Sequence, residues 1–78
     1  MNIVIYTKSN CPNCMTAKQL LKSKGLEYRE MRLEADDIEF NLMLKMHPEA
    51  RQMPQIFIDG QRVGGLAGLQ AALKQLGI

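Results

Sequence analysis

The chain has no tryptophan, four aromatic residues and two cysteines in 78 positions. Each shortage excludes something. No stretch approaches the roughly 20 consecutive apolar residues that span a bilayer, and Met1–Tyr6 is too short for the apolar core of a signal peptide. A soluble protein with no membrane association, working in the cytoplasm where it is made, is the expectation. The net charge is only +2. Tyr6, Tyr28, Phe40 and Phe57 are not interleaved with basic residues as a base-stacking surface requires, so no nucleic-acid partner is expected. Two cysteines are too few to staple a small secreted scaffold. At 8.8 kDa, residues 1–78 read as one domain of ordinary globular composition, with 46% hydrophobic and 23% charged residues.

The little charge there is lies unevenly. Residues 1–33 hold six basic and two acidic side chains, whereas residues 34–78 hold four and six. A solvated surface accounts for such a bias. The functional alternative is a basic half arranged around a site for anions or thiolates. Both cysteines fall in Cys11-Pro12-Asn13-Cys14. Joining them closes so short a ring that the unfolded chain is hardly constrained. Chemistry therefore explains the pair better than stability.

The hydrophobic patterning is that of an α/β chain. Ile3-Val4-Ile5-Tyr6 reads as a buried strand. Thr7–Asn10 breaks it, and Pro12 suits the first turn of a helix, where its missing N–H is no loss. Cys14, Ala17, Leu20 and Leu21 then share one helical face, with Lys18 and Lys22 opposite, and Gly25 ends the helix. Leu26–Leu33 reads as a second strand. Ile38, Phe40, Leu42, Leu44 and Met46 alternate like a strand, yet Asp36 and Asp37 mark a helix start and the residues are good helix formers. A helix at about 37–47, ending before Pro48, is expected there. Gln55–Ile58, Asp59-Gly60 and Gln61–Val63 form a hairpin signal. Leu66, Leu69, Leu73 and Leu76 give a last helix, ended by Gly77. The order βαβαββα implies a parallel pair joined by a right-handed crossover, with an antiparallel hairpin completing a four-stranded mixed sheet flanked by three helices.

Cys11 sits where a strand gives way to a helix. The first-turn N–H groups and the positive end of the helix dipole then favour a thiolate there, and Lys8 adds a positive charge. Cys14, one turn later on the apolar face, is the more buried thiol and can reach back to close a disulfide. That division of labour suits exchange, with Cys11 attacking and Cys14 resolving the mixed disulfide. Two inert structural cysteines are the bland alternative. A zinc site needs four ligands, and the chain offers only this pair and the lone His47, so no metal is expected within the chain. An iron–sulfur cluster shared between two chains remains open. For His47, near a helix end, a favourable charge at the helix C-terminus is sufficient explanation.

Three motifs in order, Cys11-Pro12-Asn13-Cys14 after a strand, Met53-Pro54-Gln55-Ile56-Phe57-Ile58, and Val63-Gly64-Gly65, make the chain resemble a dithiol glutaredoxin of the thioredoxin superfamily. The likeness runs from Ile3 to about Leu76 and looks most like the small bacterial and phage members. The resemblance implies a thioredoxin-like fold and a glutathione-linked thiol–disulfide oxidoreductase. It would act as a monomer on protein disulfides and glutathione mixed disulfides, with glutathione as co-substrate and no permanently bound cofactor; ribonucleotide reductase is a family-typical protein substrate. It also implies that Pro54 follows a cis peptide, with the Met53 backbone pairing with bound glutathione. Lys8, assisted by Arg51 or Gln52, would hold a glutathione carboxylate, and Gly64 and Gly65 would let the backbone approach the ligand. The N–H groups around Leu66 and Ala67 would meet a second carboxylate. Two positions depart from the pattern. Asn13 stands where the family commonly has tyrosine, and Leu66-Ala67-Gly68 lacks the acid that meets the glutathione ammonium. Two alternatives follow: a glutaredoxin-shaped thioredoxin reduced by a flavoprotein, and a dimeric [2Fe–2S] carrier.

Overall fold

The structure is a computed structural model and describes residues 1–33, 38–46 and 53–78. Its elements are β1 (Ile3–Thr7), α1 (Pro12–Ser23), β2 (Arg29–Arg32), α2 (Ile38–Met46), β3 (Gln55–Ile58), β4 (Gln61–Gly64) and α3 (Leu66–Gln75). The four strands form one sheet in the order β2-β1-β3-β4. β1 and β2 are parallel, while β1–β3 and β3–β4 are antiparallel. The mixed sheet and three helices are those the element order implies.

Strand alternation decides where the core sits. Ile3, Ile5 and Thr7 of β1 are buried, with Val4 and Tyr6 between them less so. Ile3 pairs with Ile58 and Ile5 with Ile56, so four isoleucines line one face of the sheet. Ala17 and Leu21 of α1 and Leu69 and Leu73 of α3 close over them. Each isoleucine or leucine side chain taken fully out of water contributes about 1.5–3 kcal/mol. β2 is an edge strand whose Arg29, Glu30 and Arg32 are exposed, and charge on an edge discourages pairing with other chains. The Asp59-Gly60 turn has positive φ at both residues, 51° and 83°, the geometry that two-residue hairpins prefer.

The second strand is shorter than its hydrophobic pattern predicts, starting at Arg29 rather than Leu26. The reason is the end of α1. Gly25 adopts φ +69°, its N–H donates to the Lys22 carbonyl, and the Leu26 N–H donates to the Leu21 carbonyl at 3.0 Å. These two bonds close a Schellman cap, so Leu26 finishes the helix rather than starting the strand. For residues 38–46, helix-forming propensity prevails over strand-like alternation. Ile38, Leu42 and Met46, four residues apart, lie exposed along one side of α2.

Candidate active site

β1 ends at Thr7, and the chain turns through Lys8–Asn10 into α1. Asn10 takes a positive φ of 56°. Asparagine is one of the few side chains that adopt this conformation readily, and the turn it makes sets Cys11 at the N-cap of α1. Cys11 is extended, with φ −119° and ψ 96°. Its Sγ accepts the Cys14 backbone N–H at 3.1 Å. Pro12 occupies the first turn, which carries no acidic residue to neutralise the positive helix end.

Cys11 and Cys14 are joined by a disulfide. Cys14 is 2% exposed and Cys11 8%. Cys14 is the deeper sulfur, as its place on the apolar face predicts, whereas Cys11 is less open than a freely exposed thiol. The pair packs with Leu33, Met53 and Tyr6 in a small cluster separate from the main core. The Met53 carbonyl oxygen lies 3.5 Å from Cys11 Sγ. A disulfide sulfur carries no proton, so this is a contact in the oxidised state, and the reduced thiol has a proton to donate to it.

A surface cleft of about 390 Å³ opens over Cys11, lined by Lys8, Asn10, Pro12, Asn13 and Met53. The volume is within the range of small-molecule sites. The Met53–Pro54 peptide is cis. Gly65 packs on Pro54, since a Cβ at Gly65 would stand 3.4 Å from the Pro54 carbonyl oxygen. Gly65 is also the N-cap of α3 and, having no side chain, makes no capping hydrogen bond. The start of α3, with Leu66 and Ala67, therefore adjoins the Met53–Pro54 segment. Gly68 has a different role, because a Cβ there would collide with the backbone carbonyl of Val63.

Of the residues predicted for the site, Lys8, Cys11, Asn13 and Met53 share one cleft, Cys14 lies behind it, and Gly65, which precedes Leu66 and Ala67, packs on Pro54. Arg51 and Gln52 lie outside the described residues, as does His47. Asn10 and Pro12 line the cleft without having been singled out. The only signal for Asn10 was its residue type in a turn. Also unforeseen is a polar cluster beside the sulfurs. The buried Thr7 hydroxyl donates to Glu30 Oε2 at 2.7 Å, and Lys18 Nζ reaches the same oxygen at 3.1 Å. The Thr7 hydrogen bond above all, with Lys18 and Arg32 assisting, holds the Glu30 carboxyl below its usual range. Among the described residues no three His, Cys, Asp or Glu side chains group to hold a metal ion.

A cysteine pair at a strand-to-helix junction of a mixed sheet, one sulfur opening to a cleft and the other behind it, marks a redox-active protein of the thioredoxin-like class. The family model described as Glutaredoxin matches residues 3–63. The chain is 41% identical over 70 residues to glutaredoxin 3 of Escherichia coli, covering 90% of this chain and 83% of that one. It is 44% identical over 69 residues to a probable glutaredoxin of Synechocystis, covering 88% and 78%. The structure of reduced Escherichia coli glutaredoxin superposes with a TM-score of 0.75 at 32% identity, covering 100% of both chains. The chain belongs to the glutaredoxin family and is a thiol–disulfide oxidoreductase.

Proposed function

We propose that the protein uses glutathione to reduce protein disulfides and glutathione mixed disulfides, through Cys11 as attacking thiolate and Cys14 as resolving thiol. The observation that carries this reading is the position of Cys11 Sγ, which accepts a helix-start N–H under a cleft bordered by Lys8 and Met53. Helix N–H groups and a nearby cation favour thiolate over thiol. In the reaction, the Cys11 thiolate attacks one sulfur of the substrate disulfide, forming a mixed disulfide and releasing the other sulfur as a thiolate that takes up a proton. Cys14 then loses its proton and attacks Cys11 Sγ, closing the Cys11–Cys14 disulfide and releasing the second substrate thiol. The substrate gains two electrons and the dithiol loses two. Two glutathione molecules, becoming glutathione disulfide, return them.

In this reading the neighbouring residues take the following parts. Met53 offers backbone to an extended peptide ligand. Lys8 meets one glutathione carboxylate, with Arg51 or Gln52 assisting, and Asn13 forms a small polar wall. The first-turn N–H groups of Leu66 and Ala67 meet the second carboxylate, and Gly65 leaves room for the approach. The protein works as a monomer in the cytoplasm, where the reducing environment regenerates the dithiol.

A second reading, reduction by a flavoprotein thioredoxin reductase, is favoured by Leu66-Ala67-Gly68, which offers no acid to the glutathione ammonium. Asp59 does not replace that acid. Its carboxylate accepts the Asn2 N–H at 2.8 Å, at the far end of β1 from Cys11, roughly 13 Å of strand away. The deciding experiment measures disulfide reduction with glutathione and glutathione reductase against thioredoxin reductase. We expect turnover with glutathione; turnover with thioredoxin reductase alone overturns the glutathione linkage. In the same assay Cys11→Ser abolishes exchange. Cys14→Ser keeps activity on glutathione mixed disulfides, which need one thiol, and loses most of its activity on protein disulfides.

A further inference from the structure

We infer that the face between α1 and β2 is a second recognition surface, taking an acidic segment of a disulfide-bearing polypeptide beside its reactive cysteine. The inference rests on the exchange reading above and names the substrate class it favours.

A second cleft of about 250 Å³ flanks the disulfide on this side, and both cysteines line it. Among the described residues its charged lining is Lys8, Lys18 and Arg32 with the carboxylate of Glu30. That carboxylate is already engaged by Thr7 and Lys18. The two new cations are positioned rather than loose. Lys18 is held by Glu30 and keeps 28% side-chain exposure, so it is anchored yet reachable. Arg32 Nη2 donates to Ser9 Oγ at 2.7 Å, and both residues line the cleft. Lys18, expected opposite the apolar face of α1, instead lines the same cleft as Cys14, four residues and about 6 Å further along the axis. Arg32 pairs in register with Thr7, the last residue of the strand that leads to the cysteines. The exposed Met15 forms an apolar rim.

The spacing sets the kind of ligand. An extended chain advances about 3.3 Å per residue. A polypeptide whose cysteine meets Cys11 therefore brings side chains two to four positions away over Lys18 and Arg32. Asp or Glu at those positions is attracted. Lys or Arg is repelled, and such like-charge opposition discriminates as effectively as attraction. In the reading above, the small mixed disulfide of glutathione uses the Met53 side, with Lys8 common to both clefts and Lys18 and Arg32 lining this one alone. The surface thus separates protein substrates by sequence while leaving the exchange chemistry common to all.

The test uses three otherwise identical disulfide peptides with glutamates, glutamines or lysines two to four positions from the cysteine. Rates are measured at low and high ionic strength for the wild-type chain, Arg32→Gln, and Lys18→Gln/Arg32→Gln. We expect wild-type kcat/KM for the acidic peptide to exceed that for the neutral one by about five- to tenfold at low salt, with the lysine peptide slowest. That order collapses near 1 M salt, where the Debye length falls to about 3 Å. The double variant loses the order and keeps the neutral-peptide rate, and Arg32→Gln, which leaves the Lys18–Glu30 pair intact, loses part of it. Equal wild-type rates on all three peptides, or an acidic preference that survives in the double variant, overturns the inference. A double variant equally slow on all three overturns it too, since the cluster is then structural. A wild-type chain that reduces no peptide at all contradicts the exchange reading instead.

Discussion

Two buried clusters in this molecule are built from different atoms and do different work. The larger joins Ile3, Ile5, Ile56 and Ile58 to Ala17, Leu21, Leu69 and Leu73. Its buried members are all aliphatic and make no demand on side-chain hydrogen bonding. The smaller joins Cys11, Cys14, Leu33 and Met53, with Tyr6 at its edge. It contains the reactive sulfurs, abuts two clefts and is ringed by polar groups. The first resists exchange of its contacts with water; the second must admit a partner and let a sulfur–sulfur bond open and close. Separating them allows the redox site to change state while the fold is held elsewhere. α1 connects the two, burying Cys14 in one cluster and Ala17 and Leu21 in the other along one helical face.

The comparison is broken most forcefully from the aliphatic side. Leu69 is 0% exposed, and Leu69→Ala removes its contacts and leaves a cavity. The expected loss is about 2–5 kcal/mol in chemical denaturation, while the residual folded fraction keeps its thiol–disulfide exchange. Loss of exchange without loss of stability contradicts the separation of the clusters. Gly68→Ala comes next. Helix propensity favours alanine by about 1 kcal/mol, but the new Cβ collides with the Val63 backbone. A net destabilisation of about 1–3 kcal/mol is expected, and a raised melting temperature refutes the close approach of α3 to β4.

The sulfur side is sharpened by smaller changes. Ala67→Asp supplies an acid at the start of α3, where the glutathione ammonium lacks a partner. A contact worth about 0.2–3 kcal/mol improves glutathione use by roughly 2- to 100-fold, seen as a lower apparent KM at unchanged stability. Unchanged kinetics means the ammonium is met by another group or left in water. The smallest effect is expected at Glu30. Its folded pKa is depressed, so its contribution to stability is present above about pH 4.5 and is lost as pH falls through the folded value below that. Glu30→Gln should cost about 1 kcal/mol or less at pH 7, the difference from wild type fading in strong acid. A difference constant with pH assigns the loss to packing instead.

Much of this was legible in the residues. The two periods, near two for Ile3–Tyr6 and near 3.6 for Cys14–Leu21 and Leu66–Leu76, depend only on where apolar side chains fall along the chain. Pro12, Gly25 and Asp59-Gly60 punctuate it through local backbone preferences. Cys11 as the outer and Cys14 as the inner sulfur followed from the same periodicity. The strand from Leu26 failed because the helix cap bonds to carbonyls three and five residues back, and a run of strand-compatible side chains does not display that.

The sequence by itself determined the order of elements, the apolar faces and the cysteine pair at a helix start, because each is set by residues within a turn or two of one another. Only the tertiary structure decided what meets across the chain. It brought Met53 to Cys11 across 42 positions and Glu30 to Thr7 across 23. It carried Asp59 away to Asn2 and made Gly68 a point of contact with Val63. Such meetings depend on strand order, register and helix docking, which arise from packing the whole sheet at once and leave no mark on any short stretch of sequence.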